Sequence, residues 1–77
     1  MKDILHYIVS SIVENEKDVE VLEEEQEGII NLTVKLNSAD MGKVIGKEGK
    51  VIKAIRNVMR IPAVLKSKKI YINLAEV

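Results

Sequence analysis

Seventy-seven residues allow one small domain, and a composition of 47% hydrophobic and 31% charged residues supports a packed core and excludes a disordered chain. No Cys and a single His exclude a disulfide framework, a cysteine nucleophile and a structural zinc site, while two Tyr with no Phe or Trp make the core aliphatic. The zero net charge conceals a segregation: Lys43 to Lys69 holds nine basic residues against Glu48 alone, and the remainder holds three against eleven acidic ones.

In chain order, Ile4, Leu5, Ile8, Val9, Ile12 and Val13 recur at spacings of three and four, which predicts an amphipathic helix ending near Asn15. A β-rich run comes next, from Val19 to Leu22, and Glu23 to Glu27 then lead into a turn at Gly28. Ile30, Leu32, Val34 and Leu36 alternate with polar residues, the period of a half-buried strand, so the two strands are expected to form a hairpin. At Asn37-Ser38-Ala39-Asp40 the period changes to helical. Ser38 is the expected cap, and Asp40 suits the positive end of the helix dipole. Gly46 and Gly49 limit this helix to about two turns. A further helix should run from Lys50 to about Arg60, with Pro62 ending it or kinking the residues beyond. Ile70, Ile72 and Leu74 alternate with Tyr71 and Asn73 in a closing strand. The expected fold is α+β, in the order α-β-β-α-α-β, with helices packed on one face of a three-stranded sheet.

Three of the four glycines fall between residues 42 and 49, in Gly42-Lys43-Val44-Ile45-Gly46-Lys47-Glu48-Gly49-Lys50-Val51-Ile52. A Gly-x-x-Gly turn between helices lets a sugar-phosphate backbone approach closely, because no side chains stand in the way. The N–H groups opening the next helix then face the phosphates, and Lys43, Lys47, Lys50 and Lys53 add positive charge there. Val44 and Ile45 on one side and the sheet on the other are expected to line an apolar groove. A nucleotide-hydrolysing phosphate loop is excluded: three residues separate Gly42 from Gly46, and Glu48 stands where Ser or Thr is required. A dinucleotide fingerprint fails because residue 44 is Val.

Val44-Ile45-Gly46-Lys47-Glu48-Gly49-Lys50-Val51-Ile52 resembles the core of a KH domain, and the element order is similar to the type II, bacterial arrangement. The Ile8-Val9 helix, the Asp40-to-Gly46 run and Ala54-Ile55-Arg56 extend the likeness to the small stand-alone bacterial KH proteins, so that it covers nearly all of residues 1–77. The resemblance implies that Gly46, Lys47, Glu48 and Gly49 clamp about four nucleotides of single-stranded RNA, and that Val44, Ile45 and Ile52 shape the groove or its floor. It implies a non-enzymatic RNA chaperone or post-transcriptional regulator, linked in the family to cell elongation and division. It also implies a homodimer, or pairing with a larger KH protein that carries a second nucleic-acid-binding domain. Single-stranded DNA stays open as a ligand, because the clamp reads mainly the backbone. The rival reading is a dimerisation module with a KH fold that has lost RNA binding.

Other functions find little support. No acid–base pair, activated nucleophile or metal cluster is recognisable, so no catalysis, cofactor, metal or small-molecule substrate is expected. No apolar run approaches the roughly 18 residues of a membrane span, and Met1-Lys2-Asp3 does not open a secretory leader. A cytoplasmic location is the expectation. His6 reads as an ordinary helix residue and Asp40 as a helix starter, while Tyr71 fits a stacking platform or a plain surface residue equally well. Ile52, Ile55 and Met59 form a core stripe, and Val51 and Val58 widen it toward core, groove wall or subunit contact. Val58, Ile61 and Val64 are the expected dimer surface.

Overall fold

The computed structural model describes all residues, Met1–Val77. Helix α1 spans Lys2–Ser10, strand β1 Glu20–Gln26, strand β2 Ile29–Leu36, helix α2 Ser38–Ile45, helix α3 Lys50–Leu65 and strand β3 Lys69–Glu76. Short 3-10 turns lie at Glu16–Asp18 and Lys47–Gly49. The sheet order is β1-β2-β3, with β1 antiparallel and β3 parallel to the central β2. This is the expected α+β order, and the mixed sheet is the arrangement of a type II KH fold.

One sheet face carries the helices. Ile30, Leu32, Val34 and Leu36 alternate inward from β2 and meet Leu5 and Val9 of α1, Val44 of α2, and Ile52, Ile55 and Met59 of α3 in one aliphatic core. Burial of such side chains is worth about 1.5–3 kcal/mol each, so this layer is the main source of stability.

Four boundaries differ from the sequence reading, each for a local reason. Helix α1 stops at Ser10, short of Asn15, because the amides of Glu14 and Asn15 donate to the Asp40 carboxylate, leaving the last α1 carbonyls without them. Ser11 also turns its hydroxyl back onto the Tyr7 carbonyl at 2.8 Å. Strand β1 runs on through Glu23–Gln26, so the turn is only Glu27–Gly28, both at positive φ, as a two-residue hairpin requires. The acidic run is tolerated in an edge strand because Glu23 accepts from the Lys2 amide and Glu25 pairs with Lys68. The cap of α2 is Asn37, not Ser38: its Oδ1 accepts from the Ala39 amide at 2.9 Å. Helix α3 passes through Pro62 to Leu65, since Met59 and Ala63 continue its buried stripe. Pro62 supplies no amide to the Val58 carbonyl, and Val58 lies half exposed, where water can satisfy that carbonyl.

A candidate nucleic-acid clamp between two helices

The amide of Gly46 closes the last turn of α2 on the Gly42 carbonyl at 2.8 Å, and the chain then leaves the helix at φ 76 and ψ 174, a region open in practice only to glycine. There is a second reason for glycine here. A Cβ at this position would lie 2.8 Å from the Val51 amide nitrogen, so the turn presses directly onto the first turn of α3. Gly49 needs glycine for conformation alone, with φ 73 and open space around it. Between them Glu48 also adopts a left-handed conformation, at φ 57.

This tight path starts α3 at Lys50 with no side chain capping it and no acidic residue in its first turn. The positive end of the helix dipole lies at this turn beside the exposed Lys47 and Lys50, which suits an anion, although the Lys50 amide is already taken by the Lys47 carbonyl and the Val51 amide lies against Gly46. Lys53 is exposed one turn further along.

The expected site residues divide into four groups. Gly46, Lys47, Glu48, Gly49 and Lys50 come together as the loop and the helix start, with the three charged side chains exposed. Val44 and Ile52 are buried in the core and so line no surface groove, contrary to expectation, which leaves Ile45, 37% exposed, as the apolar surface of that trio. Lys43 turns away: its Nζ lies 2.6 Å from Glu14 Oε1 and 3.9 Å from Asp40 Oδ1, so its charge is engaged in joining α2 to the segment after α1. Val58, Ile61 and Val64 are all at least half exposed on α3, away from the clamp end.

The profile of the KhpA/KhpB, KH domain family matches residues 2–74. This chain belongs to that family. Among its KhpA relatives, the RNA-binding protein KhpA of Clostridium perfringens is 40% identical over 74 residues, covering 96% of this chain and 99% of the relative. The RNA-binding protein KhpA of Bacillus subtilis is 37% identical over 70 residues, covering 91% of this chain and 86% of the relative. That of Chlamydia caviae is 34% identical over 76 residues, covering 99% and 97% respectively.

Two residues of this KhpA/KhpB-type domain position the clamp in ways the sequence reading did not find. Asp40 is a buried carboxylate, 1% exposed. It accepts from the Glu14 amide at 3.2 Å, the Asn15 amide at 3.0 Å and Asn15 Nδ2 at 3.0 Å. Burial works to raise its pKa, but the amides of Asn15 and Glu14, the Asn15 side chain and the nearby Lys43 charge together prevail and hold it below the ordinary value. The signal was its spacing of four from buried Val44, which puts both on the inward face of α2. Arg56 donates from Nη2 to the Ile72 carbonyl at 3.1 Å, tying α3 to the free edge of β3. Backbone acceptors of this kind leave no trace in a sequence pattern.

Proposed function

We propose that this chain is a non-enzymatic single-stranded RNA-binding protein that grips the sugar-phosphate backbone at the Gly46–Gly49 turn. The observation that carries the reading is the turn between α2 and α3, built on two positive-φ glycines, flanked by the exposed Lys47, Lys50 and Lys53, and followed by a helix with no acidic residue in its first turn. The ion pairs of the molecule engage Lys35, Lys43, Lys68 and the N-terminal amine, which leaves those three cations available to phosphates. Relatives that bear the name RNA-binding protein KhpA, matching nearly the whole chain, point the same way. Its work in the cytoplasm would be that of an RNA chaperone or post-transcriptional regulator, with single-stranded DNA as the competing ligand.

A second reading, a dimerisation module, is favoured by a separate observation. Ile61, Val64 and Leu65 are 63%, 62% and 81% exposed, an apolar surface on the half of α3 away from the clamp. Dimerisation as such is compatible with RNA binding, because the surfaces occupy opposite ends of one helix, whereas a module that has lost RNA binding is the true rival. A homodimer, or a pair with a larger KH-domain protein, would present more than one clamp.

The test is fluorescence anisotropy of a labelled single-stranded RNA at low and moderate salt. The native chain is compared with a Lys47→Asp/Glu48→Asp variant that keeps both glycines. Binding by the native chain alone, weakening as salt rises through counterion release, supports the clamp. If the variant binds as well as the native chain, the clamp assignment fails. Absence of binding by either folded protein leaves the dimerisation module as the function.

A further inference from the structure

Strand alternation places Tyr71 on the sheet face turned away from the helices, where it is 53% exposed. Lys69 and Asn73 share that face on β3, and Asn31 of β2 stands beside Tyr71 in register. Thr33 stands likewise beside Asn73. One aromatic ring thus lies among three amide or hydroxyl side chains and a cation, on a face that no helix covers.

A second observation concerns charge. The clamp lies at the N-terminal end of α3, yet exposed cations continue along the helix at Lys53, Arg56 and Arg60, then at Lys66 past its end and Lys69 at the start of β3. Sixteen residues make α3 about 24 Å long. The Arg56 bond to the Ile72 carbonyl sets this basic flank over the free edge of β3. A polyanion gripped at the clamp and tracking the flank therefore reaches Lys69, two residues from Tyr71 on the same strand face. The cations at that far end are unexplained by a clamp that holds about four nucleotides.

We propose that the open sheet face at the start of β3 is a second contact for the same RNA strand. A base beyond the clamped segment stacks on Tyr71, the side-chain amides of Asn31 and Asn73 meet its edge, and Lys69 meets its phosphate. The proposal rests on the RNA-binding reading of the clamp. Glu20 and Glu24, on the same face, belong to β1 on the far side of β2, so they confine the strand to the β2–β3 half. Glu20 is moreover 3.9 Å from Lys35.

The experiment uses oligouridylates of four and twelve nucleotides with the native chain, Tyr71→Ala and Tyr71→Phe. Tyr71→Ala should weaken binding of the twelve-mer roughly tenfold and leave the four-mer unchanged, whereas Tyr71→Phe, which keeps the ring, should bind both like the native chain. Tyr7 and Tyr71 are the only aromatic residues. In a Tyr7→Phe background, the remaining tyrosine fluorescence should be quenched by the twelve-mer and not by the four-mer. Equal affinity of native and Tyr71→Ala chains for the twelve-mer, with both folded by circular dichroism, overturns the proposal while the clamp stands. So does a Tyr71→Ala variant that loses self-association in sedimentation but keeps RNA affinity, since the face would then belong to a second copy. If neither oligomer binds the native chain, the clamp reading fails and this proposal fails with it.

Discussion

Gly46 and Gly49 bracket the same turn, yet they need glycine for different reasons, and substitution separates the two. At Gly46 an added methyl meets both a glycine-only backbone and the first turn of α3, 2.8 Å from the Val51 nitrogen. Gly46→Ala is expected to destabilise by about 2–4 kcal/mol. Gly49→Ala meets open space and only a left-handed backbone, for about 1–2 kcal/mol. Urea denaturation of the two variants checks the order, and a Gly49→Ala chain less stable than Gly46→Ala would contradict it. Glu48 already bears a strain of the Gly49 kind at φ 57. The glycine turn between α2 and α3 was legible because the pattern of glycines is local. The ion pair of Lys43 was not legible, because its partner, Glu14, lies on a distant segment that folding alone brings near.

Helix α3 shows what an element hides from its sequence. Its buried stripe of Ile52, Ile55 and Met59 was plain from spacing, but its end was not, because Pro62 is an ordinary stop signal. The actual stop comes later, beyond Leu65. The Lys68 amide returns to the Ala63 carbonyl at 2.9 Å and the Ser67 amide to Val64 at 2.9 Å, with Ser67 left-handed at φ 57. That pairing is a Schellman motif lacking its usual glycine. Ser67→Gly should therefore raise stability by about 0.5–1 kcal/mol, read as a higher melting temperature, with RNA affinity unchanged. Strands β2 and β3 were legible throughout, since Ile30, Leu32, Val34 and Leu36 in the one and Ile70, Ile72 and Leu74 in the other alternate with outward-facing residues. Strand β1 was not: its second half is acidic on both faces, and charge obscured the period.

At the scale of the molecule, the exposed half of α3 bears on assembly. Val58→Asp combined with Ile61→Asp replaces two residues that are 50% and 63% exposed, so the fold should tolerate both. If that surface joins two copies, as proposed, sedimentation velocity should show a dimer for the native chain and a monomer for the double variant. A folded double variant that stays dimeric would remove α3 from the interface. Acid acts elsewhere. The Asp40 carboxyl is held below its ordinary value when folded, so its contribution to stability is present above the unfolded pKa near 4 and disappears as pH falls through the folded one. Asp40→Asn should flatten the acid limb of a stability–pH profile and lower the melting temperature at neutral pH. An unaltered acid limb would show that other carboxylates govern it.

The charged edge of β1 has a bearing on how the protein behaves when crowded. A three-stranded open sheet has two edges where another chain can add, and here each is guarded differently: β3 by the Arg56 side chain and β1 by Glu20, Glu23, Glu24 and Glu25. The first guard is permanent, because arginine stays charged at every accessible pH. The second is made of carboxylates, and replacing them by neutral side chains removes it. With Glu23 and Glu25 made neutral, β1 becomes an edge that identical chains can extend in register. A concentrated Glu23→Gln/Glu25→Gln stock at neutral pH should then pass from clear solution to thioflavin-positive fibrils, while the native chain and a Glu23→Lys/Glu25→Lys variant should stay clear.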